Sequence, residues 1–189
     1  MSYYKDESFE NQDFKSHSLK NTDYEYCEFI NCELSNADLS HCKFIDCEFN
    51  NCDLSLANIS TTSFQNTRFT SCKMLGLRFD SSNSFGFSVR FENCVLDHSS
   101  FYQKSLSKTL ITSCSLKEVD FTDTDLTEVL FENFDLLNAH FENSILKSTD
   151  FRTAINFNID PELNIIKNAQ FSLSGLPGLL TKYGIIISD

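Results

Sequence analysis

A large apolar residue returns at every fifth position along most of this chain. The first series is Phe9, Phe14, Leu19, Tyr24, Phe29, Leu34, Leu39, Phe44, Phe49, Leu54, Ile59, Phe64, Phe69, Met74 and Phe79. A second series, displaced by two residues, runs Phe91, Leu96, Phe101, Leu106, Ile111, Leu116, Phe121, Leu126, Phe131, Leu136, Phe141, Leu146 and Phe151. All 15 and then all 13 positions are apolar in a chain whose apolar fraction is 41%. A period of five fits neither the helical 3.6 nor the strand period of 2. It fits a chain that turns a corner every five residues, four sides closing a coil of 20. Such coils stack as in-register parallel strands about 4.8 Å apart, so about seven coils make a rod roughly 35 Å long. Each coil touches only its neighbours, and the ends need caps.

The slot two residues before each large one is mostly small: Ala37, Ala57, Thr62, Thr67, Ser99, Thr109, Thr124, Ala139, Ser144, Thr149 and all eight cysteines (Cys27, Cys32, Cys42, Cys47, Cys52, Cys72, Cys94, Cys114). Residues two apart on an extended chain share a side. Both slots therefore face inward, and the remaining three face solvent with their Asp, Glu, Asn, Ser and Lys. The cysteine spacings follow the repeat and form no CxxC pattern. Stacked parallel thiols have the right separation but the wrong orientation for a disulfide, so they read as structural.

The chemistry of an enzyme is missing. His17 falls in an inward slot and His41, His98 and His140 in outward ones, none at metal-ligand spacing with Cys. Five glycines are too few for a glycine-rich nucleotide fold, and a net charge of −12 is the wrong sign for a basic nucleic-acid binder. No cofactor or metal is expected. No apolar run is long enough to cross a membrane, and the polar N-terminus MSYYKDESFE shows no secretion signal, so a cytoplasmic address is the default.

The register slips once, at 80–90, and Gly76 and Gly86 flank the slip. The segment Asp80, Ser81, Ser82, Asn83, Ser84, Phe85, Gly86, Phe87 is either a tolerated surface bulge or a contact loop, since its two Phe lie off the core register. The chain thus divides into a repeat over 1–153 and a tail over 154–189. In the tail, Asp160-Pro161-Glu162 reads as a helix start, and residues 154–167 as a detour replacing most of one coil. Asn168–Ser172 resume the pentad. Ser174 is the expected cap of a helix from about Gly175 to Lys182, with Gly184 as its stop. Leu176, Leu179, Leu180, Tyr183, Ile185, Ile186 and Ile187 either close the rod or also form a two-fold interface.

The 27 acids and 15 bases are unevenly spread. Glu118 to Leu146 holds Glu118, Asp120, Asp123, Asp125, Glu128, Glu132, Asp135 and Glu142 with no Lys or Arg. Asp23 to Asp53 holds eight acids against Lys43. At a spacing of 20, Asp13, Glu33 and Asp53 form one column, and Glu28 and Glu48 another. Like charges opposed across strands are destabilising. Either the acids simply keep the rod soluble, or the surface imitates DNA. B-DNA presents one charge per about 1.7 Å of axis, and this rod roughly half that density.

Units such as Ala37-Asp38-Leu39-Ser40, Cys52-Asp53-Leu54-Ser55 and Ala57-Asn58-Ile59-Ser60 resemble the A(D/N)LxX motif of the pentapeptide-repeat family. The resemblance covers 7–153 and implies an all-β fold: a right-handed quadrilateral parallel β-helix with a short C-terminal helical cap. The tail from Ile159 to Leu173, then Gly178-Leu179-Leu180 and Tyr183-Gly184-Ile185, is similar to the topoisomerase-protecting subgroup of Qnr, McbG and AlbG proteins. Cys72–Leu77 and Phe91–Leu96 resemble AlbG in particular. Plasmid-borne members carry two long loops, whereas this chain has only the short slip. The subgroup implies a cytoplasmic homodimer joined at the C-terminus, with DNA gyrase as partner and topoisomerase IV as a further candidate. Its expected activity is protection from a topoisomerase poison, giving antibiotic resistance or immunity. The alternative is a structural or adaptor β-helix with no topoisomerase target.

Overall fold

The computed structural model describes residues 2–14 and 19–188, so the placement of His17 in an inward slot lies outside the described residues. The chain winds as a parallel β-solenoid. One side of the coil is a sheet of β1 (Ser2–Lys5), β3 (Thr22–Glu25), β5 (Lys43–Ile45) and β7 (Ser63–Gln65). The next side stacks β2 (Ser8–Glu10), β4 (Glu28–Ile30), β6 (Glu48–Asn50), β8 (Thr67–Thr70), β9 (Val89–Glu92) and β10 (Ile111–Thr112). Every pairing is parallel and in register: Phe9 faces Phe29, Phe29 faces Phe49, and Phe49 faces Phe69. The other two sides are held by bridges such as Asp13–Glu33–Asp53–Lys73 and Ser100–Asp120–His140.

The large slot fills the interior. Phe29, Phe49 and Phe69 stack with centroids 4.6 and 5.0 Å apart, and Phe29 and Phe44 meet edge-on at 5.8 Å. Offset stacks and edge contacts are the favoured geometries of aromatic rings. A phenylalanine ladder therefore gains from both neighbours in the column and from the adjacent column.

The small slot makes a bond as well as saving space. Its side chain donates to the carbonyl of the large residue 23 positions earlier, in the coil above. Thr62 Oγ1 donates to Leu39 O at 2.7 Å, Thr124 Oγ1 to Phe101 O at 2.8 Å and Thr149 Oγ1 to Leu126 O at 2.9 Å. The thiols do the same more loosely: Cys32 to Phe9 O at 3.2 Å, Cys52 to Phe29 O at 3.3 Å and Cys72 to Phe49 O at 3.3 Å. Ala, Ser, Thr and Cys thus share a slot defined by volume and, for three of them, by a donor. All eight cysteines are free and buried. Burial pushes the Cys42 thiol up to about 11 and that of Cys47 up to about 12.

Corners impose the third rule. The residue two after most large ones adopts left-handed backbone, with φ between 50° and 62° at 27 non-glycine positions; Ser81 and Thr153 are exceptions. Twelve of these are Asn, the residue that best tolerates that region after Gly. Leu56 and Thr61 are poorly suited to it, at φ 56° and 57°. At many corners the residue before the large one closes the turn. Its side-chain oxygen accepts from the amide two residues on, as in Asp53 with Ser55 at 2.9 Å, Asp120 with Thr122 at 3.0 Å and Asp125 with Thr127 at 3.0 Å. This is the Asx-turn, and it explains an Asp or Asn at that position of the repeat.

Across the slip, Thr67 pairs with Val89 and Phe69 with Phe91, a step of 22 residues where the other coils take 20. A 3-10 turn at Phe79–Ser81 leads out. Asn83 ties back to Thr62 O at 2.9 Å, and Gly86 turns the chain at φ 67°. Phe85 is 82% exposed, whereas Phe87 lies half-buried beside Lys104. Lys104 occupies a small slot but reaches inward, donating from Nζ to Ser82 O at 2.7 Å and Ser84 Oγ at 2.8 Å. Burial lowers its pKa.

The tail differs from the sequence reading in three respects. Asp160-Pro161-Glu162 opens a turn and not a helix: Asp160 accepts from the Glu162 amide at 2.8 Å and the chain moves on. The detour is shorter, because Asn164 already fills the small slot, donating to Phe141 O at 2.8 Å, and Ile165 pairs with Ile145. The cap is Ser172, which accepts from the Gly175 amide in the 3-10 turn Leu173–Gly175; the α-helical part, α1, is only Pro177–Leu180. A 3-10 turn over Thr181–Tyr183 follows, and Gly184 ends it at φ 59°. Gly178, inside this helix, sits against the Phe157 backbone: a Cβ there would lie 2.3 Å from Phe157 O. Among the described residues no helix is long and apolar enough to cross a membrane.

Candidate interaction surface

The corner rules redistribute the acids. Asp13, Glu33 and Asp53 form one bridged column, which continues through Lys73. Glu28 faces Glu48, but Glu48 then faces Arg68 and pairs with it at 3.1 Å. Each acidic column therefore runs into a base before mid-rod.

In the second cluster, Asp120, Asp123 and Asp125 wrap one corner of one coil, and Glu142 lies below, its carbonyl accepting from the Asp123 amide at 2.8 Å. Among the described residues none of these four is in an ion pair. The remaining acids of the cluster leave this strip. Glu118 pairs with His98 at 3.2 Å, Glu128 with Lys108 at 3.4 Å and Asp135 with Lys117 at 3.2 Å, each at another corner or side. Glu132 follows Phe131 on the β9–β10 side. The carboxyl of Asp135 is held below the usual range, first by the Asn156 amide and then by Lys117. The sequence columns are thus reproduced, but the eight acids form one short strip and several isolated pairs, not a continuous ladder.

Between the acidic regions lies a basic belt. Residues 68–117 hold seven bases (Arg68, Lys73, Arg78, Arg90, Lys104, Lys108, Lys117) against Asp80, Glu92 and Asp97. Asp80 is engaged by Arg78 at 2.8 Å. The loop Asp80–Phe87 sits in this belt with Phe85 at its tip.

At the C-terminal end, Ile185, Ile186, Ile187 and Tyr183 are exposed, Ile186 at 94%. Leu176 is exposed, Leu179 packs on the core, and Leu180 is half-buried beside a groove it shares with Pro177 and Ile187. A groove of about 740 Å³ lies between the last coils and this tail, lined by Glu118, Leu137, His140, Glu142, Asp160 and Lys182. Lys182 is held there by Asp160 at 2.7 Å and Glu162 at 2.6 Å. Among the described residues no group of three His, Cys, Asp or Glu could hold a metal ion.

No curated protein sequence matches the chain. Among solved structures, a trypsin-treated variant of QnrB1, a plasmid-mediated fluoroquinolone resistance protein, is similar at 18% identity, with 98% of this chain and 99% of that one covered and a TM-score of 0.57. HetL, a pentapeptide repeat protein involved in heterocyst differentiation regulation from the cyanobacterium Nostoc sp. strain PCC 7120, aligns at 13% identity over 89% of this chain and 86% of its own, with a TM-score of 0.45. The first likeness supports the solenoid fold. The model of the pentapeptide repeat region matches residues 22–84 and 87–155, breaking inside the slip. On that match, over more than half of its length, the chain belongs to the pentapeptide-repeat family.

Proposed function

We propose that this chain docks on DNA gyrase, with topoisomerase IV as a second target, and protects the enzyme from a topoisomerase poison. The observation carrying the reading is the unpaired strip of Asp120, Asp123, Asp125 and Glu142 on a stiff rod, where a groove built for DNA would find negative charge. The fold likeness to a fluoroquinolone resistance protein is consistent with it. In this reading Phe85 on the 80–87 loop contacts the enzyme, and the exposed Ile185–Ile187 tail joins two copies.

The basic belt favours a second reading, a protein-interaction adaptor with no topoisomerase target, because a DNA imitation would not reverse sign at mid-rod. Supercoiling and poison-stabilised cleavage assays with purified gyrase separate the two. The informative variant carries Asp120→Asn, Asp123→Asn and Asp125→Asn. Asn keeps the side-chain oxygen that closes the corners at Thr122 and Thr127 and suits the left-handed position 123, so charge is removed without unfolding. The expected result is protection by the native chain and weaker binding by the variant. Unaltered binding by the variant refutes charge imitation, and no effect of the native chain on gyrase refutes the target.

A further inference from the structure

The two extra residues of the slip open the rod wall one corner further on. At most corners the amide before the large inward residue donates to the coil above, as Ser115 does to Cys94 O and Asp125 to Lys104 O, both at 2.9 Å. Among the described residues the Ser105 and Leu110 amides, like those of Arg78, Leu130 and Asp135, make no such bond, and these two line one groove. The segments Phe87–Arg90 and Ser105–Leu110 part around a groove of about 400 Å³.

The groove is lined by donors. Arg90 and Lys108 stand on its two walls with the hydroxyls of Ser88, Ser107 and Thr109; that of Ser105 donates outward to Asp125 at 3.5 Å, and no carboxylate is among the lining residues. Arg90 faces Arg68 directly across the β8–β9 ladder, a like-charge pairing that destabilises strands. Arg68 is neutralised by Glu48, whereas Arg90 has no ion pair among the described residues. Lys108 holds only an exposed contact to Glu128 at 3.4 Å. A third cation lies beneath: Lys104 Nζ is 5.3 Å from the centre of the Phe87 ring, which forms part of the lining.

We propose that this groove binds a small tetrahedral oxyanion, a phosphate or the phosphoryl group of a metabolite. A guanidinium fork, an ammonium, several hydroxyls and two unused amides on facing walls match a group with three or more oxygens, where a planar carboxylate would satisfy Arg90 alone. The chain's net −12 does not forbid this. At physiological salt, charges beyond a screening length of about 8 Å count little, and the local belt is basic. The bound anion would bridge two coils that the slip has separated.

The test is a titration of the ¹⁵N-labelled full chain with inorganic phosphate, ionic strength held constant with chloride, followed by amide NMR shifts. It involves no topoisomerase, so its outcome is independent of the reading above. Saturable shifts centred on Ser105 and Leu110 are expected. The Arg90→Gln and Lys108→Gln variants should each weaken binding about tenfold, the loss of one charge-assisted hydrogen bond, with unchanged spectra elsewhere. Glycerol phosphate in a parallel arm separates the two sources: equal binding identifies a phosphoryl end group, and its exclusion a free ion. Linear shifts without saturation, shifts spread equally to Lys73 and Arg78, acetate binding as tight as phosphate, or indifference to both substitutions would overturn the proposal.

Discussion

Replacing Thr124 separates two explanations of the small inward slot. If the slot wants only compact apolar bulk, Thr124→Val is the best substitution, because it exchanges a hydroxyl for a methyl of the same shape. The geometry argues otherwise. Thr124 is fully buried and its Oγ1 lies 2.8 Å from Phe101 O. A methyl carbon needs about 3.3 Å from a carbonyl oxygen, so the coils would have to part by roughly 0.5 Å or the side chain leave its rotamer. Overpacking of that kind costs about 1 kcal/mol at the low end, and the lost hydrogen bond about 1 kcal/mol more. The Phe101 carbonyl keeps its bond from the Lys104 amide at 2.9 Å, so it is not wholly orphaned and the cost stops near about 2 kcal/mol. Thr124→Ser keeps the donor and loses one methyl, about 0.8 kcal/mol. Thr124→Cys keeps a weak donor of the kind this slot already uses. The expected order of stability is Thr, then Ser and Cys together, then Val. Urea denaturation followed by circular dichroism measures it, and a melting temperature about 4–8 °C lower for Val is the thermal equivalent for a chain of this size. A Val variant as stable as the native chain refutes the donor slot.

Three further expectations rest on equally local features. Leu56→Asn should stabilise by about 1 kcal/mol, since Leu is strained at φ 56° and is 63% exposed, so it has little burial to lose; an unchanged or lower urea midpoint counts against corner strain. The chain should weaken above pH 8.5: unfolded thiols ionise near about 8.5, while Cys42 and Cys47 stay protonated to about 11 and about 12, so their contribution is present at neutral pH and is lost as pH rises. At pH 10 the loss is about 2 kcal/mol for each, and in reducing buffer Cys47→Ser should show a smaller drop between pH 7 and pH 10 than the native chain. For the tail, Ile186→Asp places a charge on a 94% exposed side chain that supports no core; light scattering should report a halved mass, and an unchanged mass would exclude this tail as the interface.

The solenoid was legible because its period is written in the largest residues. Phe29, Phe49 and Phe69 can only meet if the chain closes a coil in 20 residues. The corner chemistry was equally present but quieter. Asn at positions 11, 21, 31, 36 and 51 signals left-handed backbone, yet read as polarity alone it says only that the slot faces solvent. The acids suffered most from that reading. Asp53, Asp120 and Asp125 looked like charge spent without a structural need, and each closes a turn. The tail resisted prediction for a different reason. Its turns depend on the close approach of Gly178 to Phe157, a long-range contact with no periodic trace.

The buried thiols also make the rod report on its own opening. A thiol reacts only as an exposed thiolate, and in the native coil all eight are buried. They are spread from Cys27 to Cys114, one or two to most coils of the N-terminal two thirds, with none beyond. Because each coil rests only on its neighbours, opening can proceed from an end one layer at a time. The order in which an alkylating reagent marks these cysteines would therefore trace the path of fraying in unmodified protein. Cys27 labelled long before Cys72 would mean a rod that peels from its N-terminal edge, and simultaneous labelling one that opens as a single body.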